Sequence, residues 1–475
     1  MSTSFNQTLA FVAEEAPLLM STALRRGGTF AELFVEDTLI QHLTMRFRRN
    51  KWRENQNTRM ITGAGCRVLD GSTSWYASSA GLNPSAIRKA AADVSRAVNS
   101  SAVPQDLQAA TLERYDELPA DAPSENSAEE IRALLTRAAD AALSLHPDLS
   151  DLEVGFQGTA RRIAVTSSDG RFATSSRSVV GIRVKVCRSG NVAYAIGGGS
   201  GGLGFFLDAA PESTAAEAAR RLNAAADAVT TTRMPDGDMP VVLAGGWGGV
   251  WLHEVVGHML EADVATRSCP SNELTVPRIG ERVAGDAVSV YDDARLVAGR
   301  GSGSIDDEGT PTARNALIEG GVLGALLTDR STANTMHLPE SGSGRRQDYR
   351  YEPLPRMSNL LLAAGDDDPE SLIHAAGGGL YVKMIGNGAV TPGMDTFSFD
   401  VLEGHVIEGG RIGPPVSRLC ISGRPSEMLK RIRGIGRDVQ LDLGRGVCMK
   451  SGQAIPVSVG MPSILVDRMS VRPCI

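Results

Sequence analysis

Two histidines and a glutamate fall close together in VVLAGGWGGVWLHEVVGHMLEAD, residues 241–263: His253, Glu254 and His258. Two imidazoles and a carboxylate on a turn and a half of helix are ingredients of a metal-dependent hydrolase. The spacing differs from the familiar His-Glu-x-x-His of zinc-protease helices. Ligands four apart lie about 40° apart around a regular helix, whereas the five-residue interval here splays them by roughly 140°. On a regular helix the two rings could not share one ion. A single π-bulge would restore convergence, because a turn widened to about 4.4 residues brings position five back over position zero. Gly257, directly before the second histidine, can tolerate the unusual backbone of such a bulge. The pattern is therefore either a coincidence of core histidines or a metal helix with one deformed turn.

A catalytic zinc site takes three protein ligands and leaves one position open. Candidates for the third are Glu261 and Asp263 just beyond His258, the run Asp306-Asp307-Glu308, and Cys448 in LDLGRGVCMKSGQAIPVSVGMPSILV. Gly444 and Gly446 before Cys448, and Lys450 after it, suit an accessible thiolate approached closely by backbone. The competing reading of a lone strand cysteine is a small buried hydrophobe.

The elements that must carry these residues are readable in outline. Residues 7–25 look helical, interrupted at Pro17 and stopped by Gly27-Gly28. AELFVEDTLI and HLTMRFRR alternate toward period two, GAGCRVLDG and STSWYASS read as a Gly-turned hairpin, and Pro84 opens a helix, SAIRKAAADVSRAV. Residues 100–127, with Pro104, Pro119 and Pro123, read as a linker. A helix from Ala128 to Leu145 leads into DLEVGFQG, RRIAVTSS, VGIRVKVCRSG and NVAYAIGG, and TAAEAARRLNAAADAV closes the set. Four short strands then a helix occur twice, which predicts two ββββα-like repeats packed as one N-terminal half. From about Met239 the texture becomes Gly-rich with isolated strands and few helices besides the metal candidate and SLIHAAGGG. The expected fold is α+β, with segments 1–127, 128–235 and a β-rich C-terminal domain, 236–475, holding the metal-bearing helix.

Composition narrows the function. Of 475 residues 42% are hydrophobic and 22% charged, as in an ordinary soluble chain, while 52 glycines and only 5% aromatics favour strands and close backbone approaches. A net charge of −7 and a pI near 5.6 argue against a nucleic-acid partner, which needs a basic face. Arg46 to Arg53 reads as one solvated strand and its turn. No apolar run reaches 18 residues, so no membrane span is expected. MSTSFNQTLAFVAEEAPLLM, with Glu14 and Glu15 in its apolar part and no basic start, does not read as a signal peptide. Six scattered cysteines, Cys66, Cys187, Cys269, Cys420, Cys448 and Cys474, are expected as reduced thiols of a cytoplasmic protein.

Four motifs in one order, VVLAGGWGGVWLHEVVGHMLEAD, DDEGTPTARNALIEGGVL from Asp306, GSGRRQDYRYEPLPRMSN from Gly342 and GVCMKSGQAIPVSVGMPSILV, resemble the TldD/PmbA family of metallopeptidases, also known as modulators of DNA gyrase. The resemblance covers roughly residues 30–475 and is strong in the second half. Retention of His253, Glu254 and His258 is similar to the metal-bearing TldD branch rather than the PmbA (TldE) branch, which lacks the ligands. The resemblance implies Cys448 as third ligand; the family's Cys is usually followed by Gly-Lys, and here Met449-Lys450 follows. It further implies one zinc ion per chain on His253, His258 and Cys448, water activated there, and Glu254 as general base and then proton donor. Two imidazoles and a thiolate suit zinc best.

Asp263 reads either as an acceptor steadying a ligand imidazole or as a solvated helix-end carboxylate. Arg345 and Arg346 either hold a peptide carboxylate or carbonyl, or pair with Asp306 or Asp307. Gly-rich, strand-rich walls predict an unfolded peptide laid in extended form along a sheet edge. The family trims unstructured and leader peptides as a TldD–TldE heterodimer, so the implied partner is a second copy or a TldE/PmbA-like paralogue. The alternatives are a peptide-tailoring metalloenzyme and a scaffold subunit.

Overall fold

The computed structural model describes residues 2–102, 126–208, 210–228, 235–266, 279–391, 395–416, 418–442 and 446–474. The expected linker thus lies mostly outside the described residues. The N-terminal half runs α1 (Ser2–Ala23), β1 (Phe30–Arg48), β2 (Lys51–Asp70), β3 (Thr73–Ala80) and α2 (Pro84–Ala97), then α3 (Ala128–Leu145), β4 (Asp151–Ser167), β5 (Phe172–Arg188), β6 (Asn191–Ser200), α4 (Phe205–Asp208) and α5 (Pro211–Ala228). Its six strands form one sheet ordered β3-β2-β1-β4-β5-β6, with the two repeats meeting where β1 and β4 pair antiparallel.

Each repeat has three long strands where four short ones were expected. AELFVEDTLI and HLTMRFRR are one strand, because the polar Gln41 between them stays in register on both sides, opposite Thr58 and Gly158. DLEVGFQG and RRIAVTSS merge in the same way through Gly158, which lies opposite Val180. A polar residue ends a strand only when its backbone lacks a neighbour, and here neighbours lie on both sides.

Helix starts follow local chemistry. The Asn83 side chain accepts from Ala86 N–H with Pro84 in the first turn, and Ser127 and Glu130 cap α3 reciprocally. One face of the sheet buries Leu33, Val35, Ile87 and Val94 beneath α1 and α2, and Leu152, Val154, Leu135 and Leu222 beneath α3 and α5. Phe34, Ile163 and Val165 point the other way, onto Ile305 and Tyr349 of the C-terminal half.

That half contains a closed ring of strands: Gly378–Thr391, β7 (Gly237–Leu243), Ile464–Pro473, Leu419–Gly423 and Thr396–Glu408, the last pairing back onto the first. Beside this barrel a six-stranded sheet runs Val322–Leu323, Arg314–Glu319, Val290–Asp293, Asn359–Leu362, Ser458–Met461, Gln440–Asp442. A single apolar core unites the two, and the histidine segment threads through it, with Trp251 fully buried edge-on to Phe397. Among the described residues no helix is long and apolar enough to cross a membrane.

The expectation of six free thiols is corrected. Cys420 and Cys474 form a disulfide across neighbouring strands, 54 residues apart, while Cys66, Cys187 and Cys448 are free; Cys269 lies outside the described residues. Sheet register, which has no signature in cysteine spacing, brings the pair together: Cys420 sits opposite Arg472, and Cys474 N–H donates to Arg418.

Candidate metal centre

The site begins where β7 leaves the barrel. Its chain enters a 3₁₀ turn at Gly246–Gly248, one α turn at Gly249–Leu252, a π turn at His253–Gly257 and a second 3₁₀ turn at His258–Leu260. In the π turn the His258 N–H donates to the His253 carbonyl, five residues back, so the widened turn falls between the two histidines. The glycines allow this segment to lie flat against the strand Ser458–Met461. A Cβ at Gly248 would come within 2.7 Å of Met461 Cε, and one at Gly249 within 2.8 Å of Val459 Cγ2. Gly257 has an ordinary helical φ of −57°. Its small size matters instead, because a Cβ there would run into the sulfur of Met357.

The His253 and His258 rings lie 4.9 Å apart at 82°. Cys448 Sγ is 3.4 Å from His258 Nε2, and one ligand atom from each of the three residues lies within 4.8 Å of the others. Their exposures are 6%, 8% and 2%, so the three donors converge in the interior. Cys448 belongs to a hairpin, Val447–Lys450 with Gln453–Pro456, whose neighbours Val447 and Met449 project outward. Two buried arginines fasten that hairpin: Arg356 Nη2 donates to the Cys448 carbonyl at 2.8 Å, and Arg345 Nη2 to the Pro456 carbonyl at 2.8 Å. Glu254 stands on the open side, its side chain 21% exposed and its Oε2 3.9 Å from His258 Nε2.

Burial alone would raise the Cys448 thiol, but His253 and His258 outweigh it through charge and hydrogen bonds and hold it well below its ordinary value. That shift favours the thiolate, the form that ligates metal. Burial opposes charge on His258 as well, and Glu261 with Cys448 raises it well above the usual imidazole value. Glu261, fully buried, is pulled down to about 2 by His258 and Lys450 against its desolvation. Two imidazoles and one thiolate form a borderline-soft donor set that fits zinc. His253 Nδ1 is buried without a hydrogen-bond partner among the described residues, as suits a ring oriented by something other than protein.

The remaining candidates fall elsewhere. The carboxylate at His258 Nδ1 is Glu261, 2.8 Å away, while Asp263 accepts from Lys450 at 2.6 Å. Glu261, weighed from sequence as a ligand, stands behind the ring. Arg346 is fully buried, donating to Glu32 at 2.6 Å and stacking on Phe34, so it joins the two halves and is out of a substrate's reach. Arg345 donates to the Met357 and Pro456 carbonyls, which uses its fork on backbone rather than on a peptide. Asp307 faces Arg161 and Arg177, and Glu308 faces Arg67, as structural pairs. Lys450, read from sequence as part of the thiolate's setting, pairs instead with Glu261 and Asp263, while Arg356, which that reading did not single out, donates to the Cys448 carbonyl.

Residues 236–473 match the family model for the PmbA/TldA metallopeptidase C-terminal domain, and residues 121–226 that for its central domain. A metalloprotease TldD homolog of Haemophilus influenzae is 35% identical over 318 residues, 65% of each chain. One of Buchnera aphidicola is 32% identical over 358 residues, covering 73% of this chain and 72% of the relative. A zinc metalloprotease TldD homolog of Saccharolobus solfataricus is 33% identical over 239 residues, 50% and 52% of the two chains. In structure, TldE of Thermococcus kodakarensis superposes with a TM-score of 0.72 at 15% identity, covering 97% of this chain and 99% of that one. A Thermotoga maritima protein named a modulator of a DNA gyrase gives 0.71 at 19%, covering 99% and 100%. These two likenesses speak to fold.

Proposed function

Since this chain belongs to the TldD/PmbA family of metallopeptidases, we propose that it is a zinc-dependent peptidase acting on unfolded or leader peptides bound in extended form. One observation carries the reading: His253, His258 and Cys448 converge from two distant segments, with Glu254 beside them on the open side. The residues that would hold the ion, one per chain, are those three. Zinc in that position supplies a Lewis acid for the scissile carbonyl and makes water more acidic. Glu254, adjacent to a ligand and partly exposed, takes the proton of the attacking water and returns it to the leaving amine. The Val447–Lys450 strand pairs only with Gln453–Pro456 among the described residues, and its other edge supports an extended peptide whose backbone is read more than its side chains. The family resemblance implies a dimer, with a second copy or with a paralogue lacking the ligands.

The test is cleavage of unstructured peptides followed by mass spectrometry, with the zinc-loaded chain alone and mixed with such a paralogue. Cleavage is expected, and Glu254→Gln should lower the rate by about 10²- to 10⁴-fold while zinc content stays unchanged. Equal rates for wild type and Glu254→Gln would refute the reading.

A further inference from the structure

Cys448 supplies a sulfur, and Lys450, two residues on, lies on the same face of the same strand. Its side chain is only 11% exposed, and its ammonium uses all three hydrogens: Glu261 Oε2 at 2.8 Å, Asp263 Oδ1 at 2.6 Å and the Pro355 carbonyl at 3.0 Å. The same Glu261 oxygen lies 2.8 Å from His258 Nδ1. An ionised carboxylate only accepts, so Nδ1 carries the hydrogen and Nε2 is the ring's free face, the one directed at Cys448. Glu261 is anchored through its neighbour, since Ala262 N–H donates to the Leu327 carbonyl at 2.8 Å. Its second oxygen, Oε1, is buried with no hydrogen-bond partner among the described residues, so the buried charge leans on Lys450 and His258.

We propose that Lys450 is a positioning residue of the metal centre: it fixes Glu261 so that His258 presents Nε2 to the point shared with His253 and Cys448, and it ties the cysteine hairpin to the histidine turn. The inference rests on the reading of that cluster as a metal site. Without the ammonium, two buried carboxylates stand side by side, and their repulsion swings Glu261 off His258 and frees the ring to turn. A salt bridge of purely structural value would change stability and leave the metal untouched.

The experiment titrates zinc, and separately cobalt(II), into the full-length chain stripped of metal by a chelator. Lys450→Met should lower the melting temperature of the metal-free protein and, in the protein that remains folded, weaken zinc binding about 10- to 100-fold and diminish the thiolate-to-cobalt absorption. Lys450→Arg, which keeps a cation between the carboxylates, should recover most of the affinity. Wild-type affinity and spectrum in a folded Lys450→Met would overturn the proposal. Should that variant fail to fold, Glu261→Gln, equal in shape, must show the same loss, and wild-type binding there would overturn it equally. Failure of the unaltered chain to bind either metal would sink the metal-site reading itself, whereas normal binding unaffected by these substitutions would sink the role of Lys450 alone.

Discussion

At the scale of single residues the site divides into donors, a proton carrier and supports. Glu254 is the partly exposed member, so its removal should cost turnover and spare the fold. Arg356 is a support: Arg356→Ala leaves the Cys448 carbonyl without its donor and should loosen zinc binding, read by competition with a chelating dye; an unchanged affinity would show that the hairpin holds itself. The histidines and Glu254 were legible because they lie within six residues. Cys448, 190 residues from His258, carried no spacing signal; its Gly-rich setting made it one candidate ligand among several, and the resemblance of its motif singled it out. Asp263 and Glu261 could not be ranked from sequence, since both follow His258 closely. Their roles depend on where the 3₁₀ turn points each carboxylate, and on a lysine far down the chain.

At the scale of elements, the five-residue interval left either a coincidence of core histidines or a metal helix with one widened turn, and a π turn is present between the two histidines. The reason given for Gly257 needed revision: its backbone is relaxed, and the constraint is the Met357 sulfur against its Cα. Gly257→Ala should therefore destabilise the protein by about 1–3 kcal/mol through overpacking. In a Met357→Ala background, where the buried sulfur is gone, Gly257→Ala should cost much less in chemical denaturation than it does in the wild type. An equal cost in both backgrounds would show that crowding by the sulfur is not the cause. The strands of the N-terminal half were legible in type but not in length, because period-two patterns weaken where both faces are covered and a residue such as Gln41 stays paired on either side.

Across the whole molecule, buried arginine–carboxyl contacts join the halves. Arg346 reaches Glu32 over 314 residues, and Arg67 bridges Glu32 and Glu308, all fully or almost fully buried. No sequence pattern reveals partners so far apart, and the Cys420–Cys474 disulfide escaped for the same reason. Arg346→Ala strands Glu32 in the interior and should cost about 3–5 kcal/mol in urea unfolding; a substrate-binding arginine would instead raise KM with stability intact. Burial pushes Asp306 up to about 7, over the pull of backbone N–H groups. It likewise pushes Glu308 up to about 8, against Arg67 and with the help of Asp329, Glu32 and Asp306. Both hold their protons more tightly folded than unfolded. Their stabilisation is complete below about pH 4 and disappears as pH climbs through 7 to 8. The melting temperature should fall between pH 6 and pH 9, and Glu308→Gln should flatten that fall; an unaltered slope would assign the effect to other groups.

The central claim is that His253, His258 and Cys448 hold one ion. A crystal structure of the zinc-loaded chain, with anomalous data collected on both sides of the zinc absorption edge, tests it most directly. The account predicts a single strong peak within about 2.0–2.3 Å of one nitrogen from each histidine and the cysteine sulfur. A peak at other residues, or none in protein shown by mass to carry zinc, would contradict it.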